Sequence, residues 1–278
     1  MKICFNQATT MKRSTLESDL ASCEKIGYDF IEIRLDKLRD YLTRHTLEEL
    51  KAFFDAHKLK PYAFNALEFI NFRDAAGFSE IMDGLKFCCD AGDIIGCRKV
   101  VVVPTFDVGE KTLEEIREET VRVLHIMADY AAPRGMELAF EFVGYPNCSV
   151  NTFGQAYDIV KAADRDNVGV VLDCFHFHAM GSRLEDLAAA DADKIFIFHL
   201  DDSENLPVGA ARDHNRLMPG DGCIDLPAIF KTLQDLGYRR MVSIELFRPE
   251  YWAWPDEQTI RVSYEKTCAA IAPYFPVG

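Results

Sequence analysis

Eight short runs rich in β-branched or aromatic residues recur along the chain, and the segments between them carry apolar residues at helical spacing. The eight runs are Lys2–Asn6, Asp29–Arg34, Lys60–Asn65, Arg98–Val103, Glu137–Phe142, Val168–Asp173, Lys194–His199 and Met241–Phe247. Strands that alternate with helices favour a parallel sheet with helical crossovers. The 278 residues are close to the length of about 250 that is typical of an eight-stranded α/β barrel. The sequence therefore predicts an α/β fold, a single (β/α)8 TIM barrel domain over residues 1–278.

Several helical segments open with a hydroxyl residue followed three places later by Glu or Gln, the pattern of an N-terminal capping box. The pairs are Ser14 with Glu17, Thr46 with Glu49, Thr112 with Glu115, Thr152 with Gln155, and Ser182 with Glu185. Each pair follows a predicted strand, so the repeating order is strand, loop, helix. An open doubly wound sheet is the alternative, but it usually carries a glycine fingerprint after the first strand, where this chain has Gln7–Thr10.

Four residues that can bind a metal stand at or next to the C-terminal ends of four predicted strands. They are Glu141, Asp173, His199 and Glu245. One such residue alone is usually a solvated loop residue or a helix cap, but all four directly follow apolar residues, where burial is costly without a partner. In a barrel these ends form the catalytic face. Three carboxylates and one imidazole predict a site for one divalent ion (Mn²⁺, Zn²⁺, Co²⁺ or Mg²⁺) that leaves positions open for substrate oxygens.

Two further residues are candidates for substrate contact. His176 lies three places beyond Asp173, where it could orient substrate, bind a second metal or stabilise a helix terminus. Arg216 lies in a turn-rich stretch before the last strand, where it could hold a hydroxyl or an oxyanion, or be a solvated loop charge. Aromatic residues that could wall the pocket, or serve core packing or a subunit interface, are Phe69, Phe72, Trp252 and Trp254.

The charge and cysteine pattern narrows the possible partners. The chain has 45 acidic against 31 basic residues, a formal net charge of −14, which disfavours nucleic-acid binding because phosphate affinity normally needs a Lys/Arg excess. No apolar run approaches the roughly 20 residues that cross a bilayer. The nine cysteines form no C-x-x-C pair, and the first residues form no apolar signal core. We expect a cytoplasmic protein that acts on a small molecule, away from membranes, and the rim aromatics suggest a homodimer.

Taken in order, the candidate residues resemble a known family. Glu141, Asp173-x-x-His176, His199, Arg216 with Pro219-Gly220-x-Gly222, and Glu245 are similar to the pattern of the xylose isomerase-like sugar isomerases, epimerases and endonuclease IV relatives. A closer resemblance, to the inosose (2-keto-myo-inositol) isomerases of inositol catabolism, extends over nearly the whole chain. The segments that carry it are Cys4–Thr10, Tyr28–Arg34, Glu141–Gly144, Phe175–Gly181 and Glu245–Tyr251.

The resemblance implies a divalent-metal-dependent isomerase of a keto-polyol. The implied metal ligands are Glu141, Asp173, His199 and Glu245, and the implied substrate contacts are His176 and Arg216. Proton transfer through a metal-bound enediolate would make Glu141 and Glu245 the base and acid. Ketose epimerases of this family carry another glutamate six residues after the first metal glutamate. Asn147 stands at that place here, which favours a polyol other than a linear ketohexose.

Other functions remain open from the sequence. The same site could serve a dehydratase of inosose or dehydroshikimate, a hydroxypyruvate-type isomerase or a ketose epimerase, because each begins by removing a proton next to a carbonyl. A different class of protein, a non-catalytic barrel that binds a polyol, would keep the fold but could lose a ligand.

Overall fold

Eight parallel strands close into a barrel in the computed structural model, which describes residues 1–277. The barrel strands are β1 (Lys2–Asn6), β2 (Phe30–Arg34), β3 (Lys60–Leu67), β4 (Lys99–Val102), β5 (Glu137–Glu141), β6 (Val168–Asp173), β7 (Ile195–Leu200) and β10 (Met241–Ile244). β10 lies between β7 and β1 and closes the ring. A short antiparallel pair, β8 (Asp202–Ser203) and β9 (Arg216–Leu217), lies in the connection between β7 and β10. The predicted α/β barrel is confirmed.

Helices connect the strands around the outside of the barrel. They are α1 (Leu16–Ile26), α2 (Leu35–Tyr41), α3 (Leu47–Ala56), α4 (Ala75–Ile95), α5 (Leu113–Ala131), α6 (Phe153–Ala163), α7 (Cys174–Ala179), α8 (Leu184–Ala188), α9 (Leu226–Asp235), α10 (Pro249–Trp252) and α11 (Asp256–Ile271). Among residues 1–277, no helix combines the length and the apolar character that a bilayer span requires.

The predicted capping boxes hold at two of the five helix starts. Thr46 and Thr112 each accept a hydrogen bond from the backbone nitrogen three residues on. The glutamate at that position in turn accepts one from the backbone nitrogen of the threonine. Thr152 also caps its helix, but the Gln155 side chain accepts from Asn151 rather than from the cap.

The other two predicted boxes are wrong. α1 starts one residue later than predicted, because Thr15 forms a reciprocal pair with the hydroxyl of Ser18. Ser182 does not cap α8, because its hydroxyl accepts instead from the backbone nitrogen of Phe153 at 3.0 Å. Side-chain hydrogen bonds between elements compete with local caps, and the sequence pattern does not report them.

The barrel interior is filled by small and branched side chains, one from nearly every strand. This inner cluster includes Cys4, Ala63, Val101, Ala139, Val171, Ile197 and Met241. Because side chains on a strand alternate between its two faces, the residue two positions further along also points into the barrel. For three strands that next inward residue is Glu141, Asp173 or His199, so the strand period places these polar groups inside the barrel at its C-terminal end.

Candidate metal centre

Four buried donors meet at the C-terminal end of the barrel. Glu141 ends β5, Asp173 ends β6, His199 is the next-to-last residue of β7, and Glu245 directly follows β10. Each offers one ligand atom, and these atoms all lie within 4.8 Å of one another. His199 Nδ1 is 3.0 Å from Glu141 Oε1, 3.3 Å from Glu245 Oε2 and 3.7 Å from Asp173 Oδ2. The structure thus brings together the four residues named from the sequence, and their role as ligands remains a prediction.

The electrostatics of this cluster favour a cation. Burial and the neighbouring Glu245 raise the pKa of Glu141 to about 8. Burial alone would lower the pKa of His199, but the carboxylates of Glu245 and Glu32 outweigh it and raise that pKa. Three carboxylates withdrawn from water need compensating positive charge. Oxygen donors with one imidazole suit a divalent transition ion, so the residues present fit the predicted cofactor.

Hydrogen bonds from the first three strands hold two of the four donors, and these contacts were not predicted. Asn6 Nδ2 donates to Glu245 Oε1 at 2.8 Å, and Asn65 Nδ2 approaches the same oxygen at 3.3 Å. Glu32 lies against the opposite edge of the His199 ring. One sequence signal could have identified Asn6, Glu32 and Asn65. Each stands at or near the end of a predicted strand, two positions after a residue of the inner barrel cluster.

Arg216 supplies the permanent positive charge of the site. It is fully buried in β9 rather than in an irregular turn, which corrects the solvated-charge alternative. Its Nη1 donates to Asp173 Oδ2 at 2.7 Å, lies 3.3 Å from Glu245 Oε2, and also contacts Asp201. Burial opposes ionisation of Asp173, but Arg216 outweighs it and holds the pKa of that carboxyl well below its usual range. Asp201 was missed, although it follows His199 by only two residues.

One ring nitrogen of His176 is buried without a hydrogen-bond partner among residues 1–277. Its Nε2 lies 3.0 Å from Arg216 Nη2, which can only donate, so Nε2 accepts and Nδ1 carries the proton of the neutral ring. Burial lowers the pKa of His176, which favours that neutral form. The buried Nδ1 has no partner among residues 1–277. His176 therefore keeps a buried ring N–H without a hydrogen-bond partner, while its backbone nitrogen donates to the cap residue Asp173 at 2.7 Å.

A cavity of about 230 Å³ opens over these groups. Its polar lining residues include Glu141, Glu245, His176, Arg216, Arg34, Asn65, Glu68, Tyr145 and Asp213, and its aromatic walls are Phe69, Phe106 and Phe247. Of the four aromatics considered from the sequence, Phe69 lines the cavity. Trp252 instead donates to the backbone of Ala8, and Trp254 packs on Tyr251. A polar floor beneath aromatic walls suits a small, oxygen-rich molecule.

Comparisons with known proteins agree with this geometry. The family model described as xylose isomerase-like TIM barrel matches residues 20–267. An inosose isomerase from Bacillus licheniformis is 50% identical over 278 residues and covers 100% of both chains. Another from Bacillus subtilis (strain 168) is 48% identical over 276 residues, 99% of each chain.

A solved structure is similar over the same length. A crystal structure of IolI protein with a binding zinc atom has a TM-score of 0.97 and 48% sequence identity, and the match covers 99% of each chain. With the family model matching most of the chain, the predicted resemblance is confirmed. The chain belongs to the xylose isomerase-like TIM barrel family.

Proposed function

We propose that this protein is a divalent-metal-dependent inosose isomerase, which moves the ketone of a keto-inositol to the neighbouring carbon by proton transfer. The observation that carries the proposal is the convergence of four buried donors beneath a cavity of small-molecule size. Relatives of about half identity over the whole chain, named inosose isomerase, support the substrate class. The small-molecule partner is therefore a keto-polyol.

Glu141, Asp173, His199 and Glu245 would hold one ion, with Zn²⁺, Mn²⁺ or Co²⁺ as candidates and Mg²⁺ also compatible. Such an ion supplies the positive charge that polarises a ketone and offsets the negative charge left when the neighbouring carbon loses its proton. The bound zinc atom in the IolI crystal structure supports a transition ion.

The two glutamates are the proposed proton carriers. One removes the C–H proton from the hydroxyl-bearing carbon next to the ketone, and the other adds a proton to the former carbonyl carbon. The proton of that hydroxyl passes to the former ketone oxygen, so the substrate gains and loses the same number of protons. Glu141 and Glu245 both line the cavity. Glu245 is held in place through its Oε1 by Asn6 and Asn65, while its Oε2 faces the other donors.

His176 and Arg216 are the proposed substrate contacts. Both line the cavity, and the buried Nδ1–H of His176 has no hydrogen-bond partner among residues 1–277, which supports a contact with a substrate oxygen. Asn147 supports a polyol over a linear ketohexose, because its amide lies 3.1 Å from an Asp107 oxygen and is outside the cavity lining. Asn147 stands where ketose epimerases of this family carry an extra glutamate, and its side chain does not line this cavity.

Incubation of the metal-loaded protein with inosose in deuterated water tests the proposal directly. We expect deuterium to enter at the carbon next to the ketone and a second keto isomer to appear, detected by NMR and mass spectrometry. Removal of the ion by a chelator should stop both, and added Zn²⁺, Mn²⁺ or Co²⁺ should restore them. An enone absorbing in the ultraviolet would identify a dehydratase instead. Binding of inosose without any exchange would identify a non-catalytic barrel.

Gly144→Ala should weaken substrate binding through His176. A Cβ at Gly144 would lie 2.6 Å from the carbonyl oxygen and 2.8 Å from the Cα of His176, so the backbone of α7 must move. Misplacing a positioning group by ~1 Å can cost on the order of 10²-fold. We expect KM to rise about 10-fold or more while the metal content stays stoichiometric.

Gly154→Ala is the matched control for this prediction. Its added Cβ meets the carboxylate of Asp186, which is the end of a flexible side chain outside the cavity. Steady-state kinetics of both variants with inosose would check the difference. An unchanged KM for Gly144→Ala would mean that His176 does not depend on this close backbone approach for its position.

A further inference from the structure

We infer that Glu32 is a positioning residue that sets the tautomer and the ring orientation of His199, so that Nδ1 faces the other donors without a proton. This inference rests on the proposed metal site. Glu32 itself belongs to neither the four-donor cluster nor the cavity lining.

The two nitrogens of His199 face different groups. Nδ1 points to the shared centre, within 3.0–3.7 Å of oxygens of Glu141, Glu245 and Asp173. Nε2 lies 3.0 Å and 3.2 Å from the two oxygens of Glu32. An imidazole that binds a metal must offer an unprotonated nitrogen, so its proton stays on the other nitrogen. The Glu32 carboxylate, which only accepts hydrogen bonds when ionised, fixes that proton on Nε2.

Glu32 is itself held rigidly. Its side chain is fully buried inside the barrel, and the Ser243 hydroxyl donates to its Oε1. Ser243 on β10 is also the register partner of His199 on β7. The carboxylate, the hydroxyl and the imidazole thus lie at one level of the barrel. A buried carboxylate behind a ligating histidine raises the basicity of the ligand and orients its ring.

Glu32→Gln tests the inference by metal affinity. The amide has nearly the same shape, but it can turn its NH₂ group toward Nε2 and so favour a proton on Nδ1, where it blocks binding. We expect the dissociation constant for Zn²⁺ or Co²⁺ to rise about 10–100-fold, measured by chelator competition and by the visible spectrum of bound Co²⁺. Glu24→Gln is the control, because Glu24 accepts backbone hydrogen bonds from Lys58 and Leu59 far from the barrel centre.

The tautomer can be read in the unaltered protein as well. In zinc-loaded protein with ¹⁵N-labelled histidine, we expect His199 to show a protonated Nε2 with a slowly exchanging hydrogen. A proton on Nδ1 of His199 would overturn the inference even if Glu32→Gln failed to fold. Wild-type affinity in folded Glu32→Gln would also overturn it while leaving the proposed metal site intact. Failure of the wild-type protein to bind an ion would overturn both.

Discussion

Glu245→Gln is expected to lower kcat by on the order of 10²–10⁴ and to weaken metal binding, while the barrel stays folded. Glu245 has two proposed roles, since it offers Oε2 to the ion and exchanges a proton with substrate. Loss of acid–base assistance of this kind costs on the order of 10²–10⁴ in rate. The fold should survive because the replacement has nearly the same volume and still accepts hydrogen bonds from Asn6 and Asn65.

Asn6 and Asn65 also fix the orientation of the glutamine amide at position 245. Asn6 lies 2.8 Å from Oε1 of Glu245, and its own orientation is fixed because its Oδ1 accepts from the backbone nitrogen of Ala8. A glutamine at position 245 must therefore place its carbonyl oxygen toward Asn6. Its NH₂ group then faces Arg216 and the metal position, where an amide nitrogen neither binds an ion nor takes a proton.

Kinetics at saturating metal separate the two losses. Metal is first titrated into the variant to measure its dissociation constant, and turnover of inosose is then measured with the site filled. Glu250→Gln is the control, because Glu250 is exposed and its one ion pair within residues 1–277 is with Arg248. If Glu245→Gln reached near-wild-type kcat with the ion bound, the assignment of Glu245 as a proton carrier would be removed and only its ligand role would remain.

Local sequence patterns were enough to predict the barrel and to name the residues that meet at its C-terminal end. Strand and helix periods alternate eight times, and the strand period places Glu141, Asp173 and His199 on the inward face. The predicted end of the last strand was too late, because β10 ends at Ile244 and Glu245 follows it. Glu245 is the first residue after β10, and its side chain still lies with the other three donors.

Contacts between distant parts of the chain were outside the reach of sequence patterns. Glu32 and His199 are 167 residues apart and meet because β2 and β7, three places apart around the ring, both direct these side chains into the barrel interior. Asp201 and Arg216 meet only after β9 pairs with β8. The spacing of residues along one segment carries no information about contacts with a distant segment. Glu32 and Asp201 could therefore be recognised as polar residues near strand ends, but their partners could not be predicted.

Arg216→Met is expected to cost about 3–5 kcal/mol in the free energy of unfolding, because it leaves buried carboxylates without their counter-charge. Arg216 is fully buried, and its Cζ lies over the rings of Phe175 and Phe247, 4.8 Å and 5.2 Å from their centroids. Methionine can fill much of that space. The loss should therefore come from the charge of Asp173 and from the lost hydrogen bond to Asp201 rather than from a cavity.

Bound metal should reduce the loss of unfolding free energy caused by Arg216→Met. The ion would offset the negative charge of Asp173 and Glu245, whereas Asp201 lies outside the four-donor cluster and would still lack its hydrogen bond from Arg216. Urea unfolding of Arg216→Met should thus show a larger deficit in metal-free than in metal-loaded protein. Arg122→Met is the control, because Arg122 is exposed and its surface pair with the half-buried Glu119 is worth at most about 1 kcal/mol. A deficit at position 216 no larger than in this control would mean that Arg216 does not hold the acidic site together.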